Sequence, residues 1–152
     1  MLARTHVAIA IFFILAFIGS VGNKVSFVLI ALIATFLPDV DSRFSKLGRR
    51  RTFRVLQFFV KHRGILHSFT FLIIVSVFFA LFIPVVALPF FLGYGIHLLA
   101  DSFTVDGIRP FYPWKKTSSG RVRVGGKTET SVFVVFVLAD LFLLIALVAT
   151  VI

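Results

Sequence analysis

Chemistry in this chain has to come from a short list of side chains: four histidines, six acids and no cysteine. Without cysteine there are no disulfides, thiolate metal sites or thiol nucleophiles. His97 and Asp101 are four apart, so a helix carries them on one face, as helix bundles do with metal ligands. Asp39 and Asp41 flank Val40 directly after Pro38, where extended backbone is expected and alternate side chains point the same way. His62 and His67, five apart, would not share a helical face, but Gly64 between them lets His62 occupy an entry turn while His67 starts the helix. Imidazole nitrogens and carboxylate oxygens gathered together bind divalent ions, and the mixture suits Zn, with Mn or Fe also compatible. Each residue has a plainer use as well. His6 could be a headgroup-level polar residue, the Asp39 and Asp41 pair a helix stop, and His97 with Asp101 an intrahelical hydrogen bond.

The elements that would position these residues are apolar helices. Hydrophobic residues make up 59% of the 152 positions, charged residues 14%, and the mean hydropathy is +1.07. A water-soluble domain of this size is far less apolar. The sequence predicts an all-α membrane protein: a bundle of about five transmembrane helices, near residues 3–19, 23–38, 64–83, 87–105 and 131–152, forming one integral membrane domain over residues 1–152. The first apolar run has some features of a signal peptide, but His6 within it argues for a retained span.

The sixteen basic residues are grouped. Eight lie between Asp41 and Gly64, six between Val105 and Thr130, and Arg4 and Lys24 remain. The positive-inside rule then puts the amino terminus and both basic loops in the cytoplasm and the carboxyl terminus outside, in a multi-pass protein of the plasma membrane. Within the first loop, Phe53, Leu56, Phe59 and Val60 recur at helical spacing behind a run of arginines. That pattern predicts a cytoplasmic amphipathic helix over residues 49–61 lying on anionic headgroups, the alternative being a solvated basic loop. Residues 110–114, Pro-Phe-Tyr-Pro-Trp, have the character of a headgroup-level anchor, and residues 118–127 that of a turn or short hairpin. On this topology all four histidines and five of the six acids fall toward the cytoplasmic side. Ionisable residues in or near hydrocarbon are costly, so such gathering points to function. Asp106 opens a loop and is left outside the ligand set. Asp140 lies mid-span, nearly on the face of Glu129, and could be a deep supporting acid or a partner for Tyr94 or Thr104.

In order and spacing, Thr5-His6, the stretch from Leu37 to Ser42, the stretch from His62 to Ser68, Gly93-Tyr94, the stretch from His97 to Thr104, Gly107 and Pro113 form one pattern. It resembles the YdjM-like small membrane proteins described as LexA-regulated, membrane-bound, metal-dependent hydrolases, which are thought to be distantly similar to zinc-dependent phospholipase C. Ala10 stands where that pattern leads one to expect glycine. The resemblance implies hydrolysis at a phosphoester. With it, His6, Asp39, Asp41, His62, His67, His97 and Asp101 are the expected metal ligands, and Glu129 a ligand or general base. Arg63 is a candidate phosphate clamp, its planar fork matching phosphate oxygens, or else one more positive-inside charge. The inventory exceeds one tetrahedral site, so two or more ions are expected; such a pair generates a nucleophile at neutral pH and clamps the attacking and leaving oxygens.

The function expected is therefore a membrane-embedded, metal-dependent hydrolase. Its substrate would be a phosphoester or pyrophosphate of a lipid-like molecule at the cytoplasmic side. Membrane lipid and that substrate are the expected partners, and nucleic acid is not. A metal or ion transporter would spread such residues through the membrane, and a non-catalytic scaffold binding anionic lipid would leave the aligned histidines unused.

Overall fold

The computed structural model describes residues 1–41 and 64–150. Among these residues five α-helices form and no strand does. Helix α1 spans Ala3–Phe17 and runs on into a 3-10 turn at Ile18–Ser20. Helix α2 is Lys24–Phe36, begun by Asn23, whose side chain accepts from the Ser26 N–H; such a cap satisfies one of the free donors at a helix start. It gives way at Pro38 to a 3-10 turn, Pro38–Asp41. A second 3-10 turn, Ile65–His67, leads through a Ser68 cap into α3, Phe69–Phe82. Helix α4, Pro84–Ser102, has proline in its first turn, where a missing N–H costs nothing. Helix α5 is Lys127–Ala149.

Three stretches, Ala3–Ser20, Pro84–Ser102 and Lys127–Ala149, are long and apolar enough to cross a membrane. The other two helices are as apolar but shorter, 13 and 14 residues. At 1.5 Å per residue they reach only about 20 Å, short of the ~30 Å of bilayer hydrocarbon. The third expected span begins five residues late because residues 65–67 are spent on a tight turn and Ser68 supplies the cap. The amphipathic helix anticipated over residues 49–61 lies outside the described residues, as do His62 and Arg63.

Helix α4 is the centre of the bundle, packing against α1, α2 and α3, while α5 packs on α1. Gly93 sets the α2–α4 crossing. A Cβ there would sit 2.0 Å from the Ala31 carbonyl oxygen, so only glycine allows the two backbones to touch. Small residues serve this end throughout membrane bundles, where lipid removes the hydrophobic drive for association. Tyr94, Leu98 and Phe90 on α4 pack with Leu72 and Ala34; Ile96 and Ala100 meet Ile9 of α1. Outward faces are as apolar as the core: Phe78, Leu81, Leu138 and Phe142 are all exposed, as suits contact with lipid tails.

The connection between α4 and α5 is folded, and is more than the short hairpin anticipated. Ile108 and Ser118 exchange backbone hydrogen bonds of 2.9 Å, and Thr104 pairs with Val122. Gly107 turns the chain with φ +61°, and a side chain there would strike the Ser118 carbonyl.

Candidate metal centre

Four chain segments deliver ligands to one end of the bundle. His6 comes from the first turns of α1, Asp39 from the 3-10 turn after α2, His67 from the 3-10 turn before α3, and His97 and Asp101 from α4. His6 Nε2 is 3.3 Å from Asp101 Oδ1; His97 Nε2 is 3.7 Å from Asp101 Oδ2 and 3.8 Å from Asp39 Oδ1; His67 Nε2 is 4.0 Å from Asp101 Oδ2. The His6 and His97 rings stack 4.0 Å apart, inclined by 8°. The Met1 amino group also lies against Asp101. Two overlapping groups of ligand atoms result, His6 with His97 and Asp101, and Asp39 with His67 and His97, each within 4.8 Å.

The donor set fits a divalent ion. Two atoms each about 2.0 Å from a tetrahedral ion lie about 3.3 Å apart, and the observed separations of 3.3 to 4.0 Å start at that value. His6 Nδ1 and His97 Nε2 are buried without a hydrogen-bond partner among the described residues. Orphaned buried polar atoms of this kind cost about 1–3 kcal/mol each, which coordination would remove. On the other side of its ring, His97 Nδ1 is 2.8 Å from the Thr35 carbonyl oxygen. The N–H therefore belongs on Nδ1, leaving the Nε2 lone pair aimed into the cluster, the usual outer support for a ligating histidine. Asp39 is the most open member, its side chain 24% exposed against 5% for Asp101. Burial raises its carboxyl above the ordinary carboxylate range, and a charge on His6 would pull it back down.

Thus His6, Asp39, His67, His97 and Asp101 come together as the sequence indicated. Asp41 closes the Pro38–Asp41 turn, and its side chain lies outside the described ones. Pro38, whose fixed φ suits the start of a helical turn, begins a 3-10 turn here rather than the extended chain expected.

Glu129 belongs to neither group. Its Oε1 accepts from the Leu2 N–H at 2.5 Å and from Thr5 Oγ1 at 3.1 Å, and its Oε2 from the Gly125 N–H at 2.5 Å. These contacts bind the first turn of α5 to the start of α1, one residue from His6. Outer partners of metal ligands typically contribute 10–100-fold in affinity. Glu129→Gln should accordingly weaken metal retention about tenfold in a chelator competition while leaving the far-ultraviolet circular dichroism unchanged; undiminished retention would confine Glu129 to packing.

Two residues of the sequence pattern, Tyr94 and Thr104, act as supports, a role that their place in the pattern did not specify. Tyr94 donates to the Leu66 carbonyl at 2.5 Å, holding the turn that presents His67. Thr104 donates to the Asp101 carbonyl at 2.7 Å and is fully buried. Both hydroxyls thus serve the site's backbone, whereas Asp140 Oδ1 has no hydrogen-bond partner among the described residues.

Apolar helices of spanning length around a buried histidine and aspartate cluster define a small membrane protein with a candidate metal centre at one end of its bundle. Comparison with known proteins agrees on the membrane: the chain belongs to the YdjM inner membrane protein family, whose profile matches residues 1–152. It is also similar to the uncharacterized protein YvsG of Bacillus subtilis (strain 168), 29% identical over 105 residues. That match takes in 66% of this chain and 63% of the relative, so it spans a little under two thirds of the relative's length. No solved structure matches.

Proposed function

We propose that this protein is a membrane-embedded, metal-dependent hydrolase acting on a phosphoester or pyrophosphate of a lipid-like substrate. The observation that carries the reading is the convergence of the buried His6 and His97 Nε2 atoms on the Asp101 carboxylate at ligand-to-ligand distances. His6, Asp39, His67, His97 and Asp101 would hold the ions, Zn above all, with Mn or Fe compatible. Divalent ions held there would supply Lewis acidity toward a phosphoryl oxygen and an activated water at neutral pH. The chain's own part is to fix the imidazoles by packing and by the Thr35 carbonyl, to exclude bulk water from His6, His67 and His97, and to leave one side open at Asp39. In the hydrolysis, water oxygen joins phosphorus, the P–O bond to the leaving group breaks, and the departing oxygen receives a proton. Arg63, outside the described residues, is assigned in this reading to the phosphate.

Transport is the less favoured alternative, because the clustered ligands sit at one end of the bundle and do not line a path through it. The decisive assay is a panel of phosphomonoesters, phosphodiesters and pyrophosphates offered to purified protein before and after chelation and after return of Zn, Mn or Fe. Turnover that vanishes on chelation and returns with one of these ions is expected. No turnover under any ion, with ion flux in proteoliposomes, would replace hydrolysis by transport.

The same reading puts the site on the cytoplasmic face, because fifteen of the sixteen basic residues then lie inside. Single cysteines at Ser45 and Ser119 should resist an impermeant thiol reagent on intact cells, while one at the carboxyl end should react. Labelling of both loops from outside would reverse the orientation.

A further inference from the structure

The loop between α4 and α5 is fastened to the bundle at the end that holds the metal cluster. Thr104 is tied to Asp101, and the Phe69 N–H, two residues past His67, donates to the Pro110 carbonyl at 2.8 Å. Because α4 ends at Ser102 and α5 starts at Lys127, and both are of spanning length, this loop lies at the membrane surface. Ile108 and Thr104 are buried beneath it, while large apolar side chains face out: Phe103, Phe111 and, at 72% exposure, Trp114. The Phe111 and Trp114 rings contact one another edge to face, 6.5 Å between centroids. Interspersed with them, Lys115, Lys116, Arg121 and Arg123 are exposed, against one exposed acid, Asp106. Aromatic side chains of this kind settle at the level of lipid headgroups, and cations beside them are drawn to acidic lipids.

We infer that the 103–126 loop is a docking pad for the phosphates of acidic bilayer lipids, with Phe111 and Trp114 seated among the headgroups and Lys115, Lys116, Arg121 and Arg123 holding the charge. The inference is independent of the metal cluster and of hydrolysis. A nucleic acid would meet the same cations, but the site's place between two spanning helices and its outward indole favour lipid.

Trp114 is the chain's one tryptophan, so its emission reports the pad directly. The full chain would be reconstituted in phosphatidylcholine bilayers containing a small fraction of spin-labelled phosphatidylglycerol or, separately, spin-labelled phosphatidylcholine. One well-placed cation enriches acidic lipid roughly fivefold, so the acidic label should quench Trp114 several-fold more strongly than the zwitterionic one. That preference should shrink as salt is raised, and should be lost in the combined variant K115Q/K116Q/R121Q/R123Q while quenching by the zwitterionic label persists. The salt titration on wild-type protein tests the inference even if the variant misfolds. Equal quenching by the two labels, or a preference indifferent to salt, would overturn it. So would a Trp114 as open to aqueous acrylamide as free indole, or emission that answers to an oligonucleotide but not to acidic lipid.

Discussion

Replacing His97 and Asp101 together by alanine should strip the protein of most of its divalent metal. His97 belongs to both ligand groups, and Asp101 reaches three histidines. The two residues play different parts. With Nδ1 committed to the Thr35 carbonyl, His97 offers one nitrogen, and one imidazole nitrogen binds one ion. Asp101 offers two oxygens, Oδ1 toward His6 and Oδ2 toward His67 and His97, so its carboxylate can serve two ions. Wild-type protein purified without chelator is therefore expected to carry more than one equivalent of transition metal by elemental analysis. The double variant should bind more than about 100-fold more weakly, beyond the 10–100-fold typical of outer partners, and should come through dialysis nearly metal-free. Asp140→Asn, altering an acid outside both groups, should keep the wild-type content. Unchanged metal in the double variant, with helical content intact, would remove both residues from the ligand set.

The parts of this site that rest on local spacing were legible in the sequence. His97 and Asp101 are one helical turn apart on a helix whose span the hydropathy marks, and His6 and His67 sit where apolar runs begin. What was not legible depends on backbone groups, which leave no trace in residue type. The Thr35 carbonyl that orients His97 belongs to another helix, brought close because Gly93 lets α2 touch α4. Glu129 could be counted as an acid at the right end, yet two of its three partners are the N–H groups of Leu2 and Gly125. Turns were misread for a related reason. Pro38 is compatible with either extended chain or a helical first turn, and which one forms at Asp39 and Asp41 is decided by packing. The 3-10 turn at Ile65–His67 is likewise secured from outside, by the Tyr94 hydroxyl on Leu66.

Asp39→Asn should abolish most of the proposed hydrolysis, and wild-type protein should turn over a phosphoester on a long-chain lipid at least about tenfold faster than the same headgroup on a short soluble chain. Both expectations follow from the shape of the site. His6, His67, His97 and Asp101 are buried, whereas the Asp39 side chain keeps 24% of its surface open. Among the described residues of the cluster the open side is therefore at Asp39, on the turn that ends α2, and the proposed reaction takes its substrate from there. That helix is about 20 Å long, against ~30 Å of hydrocarbon, so the turn lies within reach of molecules already held in a leaflet. A lipid already in the leaflet has little further order to lose on reaching such an opening, and a soluble analogue has to be drawn from water. The amide in Asp39→Asn keeps the shape but replaces an anionic oxygen donor by a neutral, weaker one. The substitution should lower kcat by about 100-fold or more, above the usual effect of an outer partner, with metal content falling in parallel. The comparison is turnover of one headgroup on both chains by wild type and Asp39→Asn, in the same mixed micelles and with the ion that restores activity after chelation. Equal rates on long and short chains would move the substrate into the aqueous phase, and activity surviving Asp39→Asn would take the Pro38–Asp41 turn out of the site.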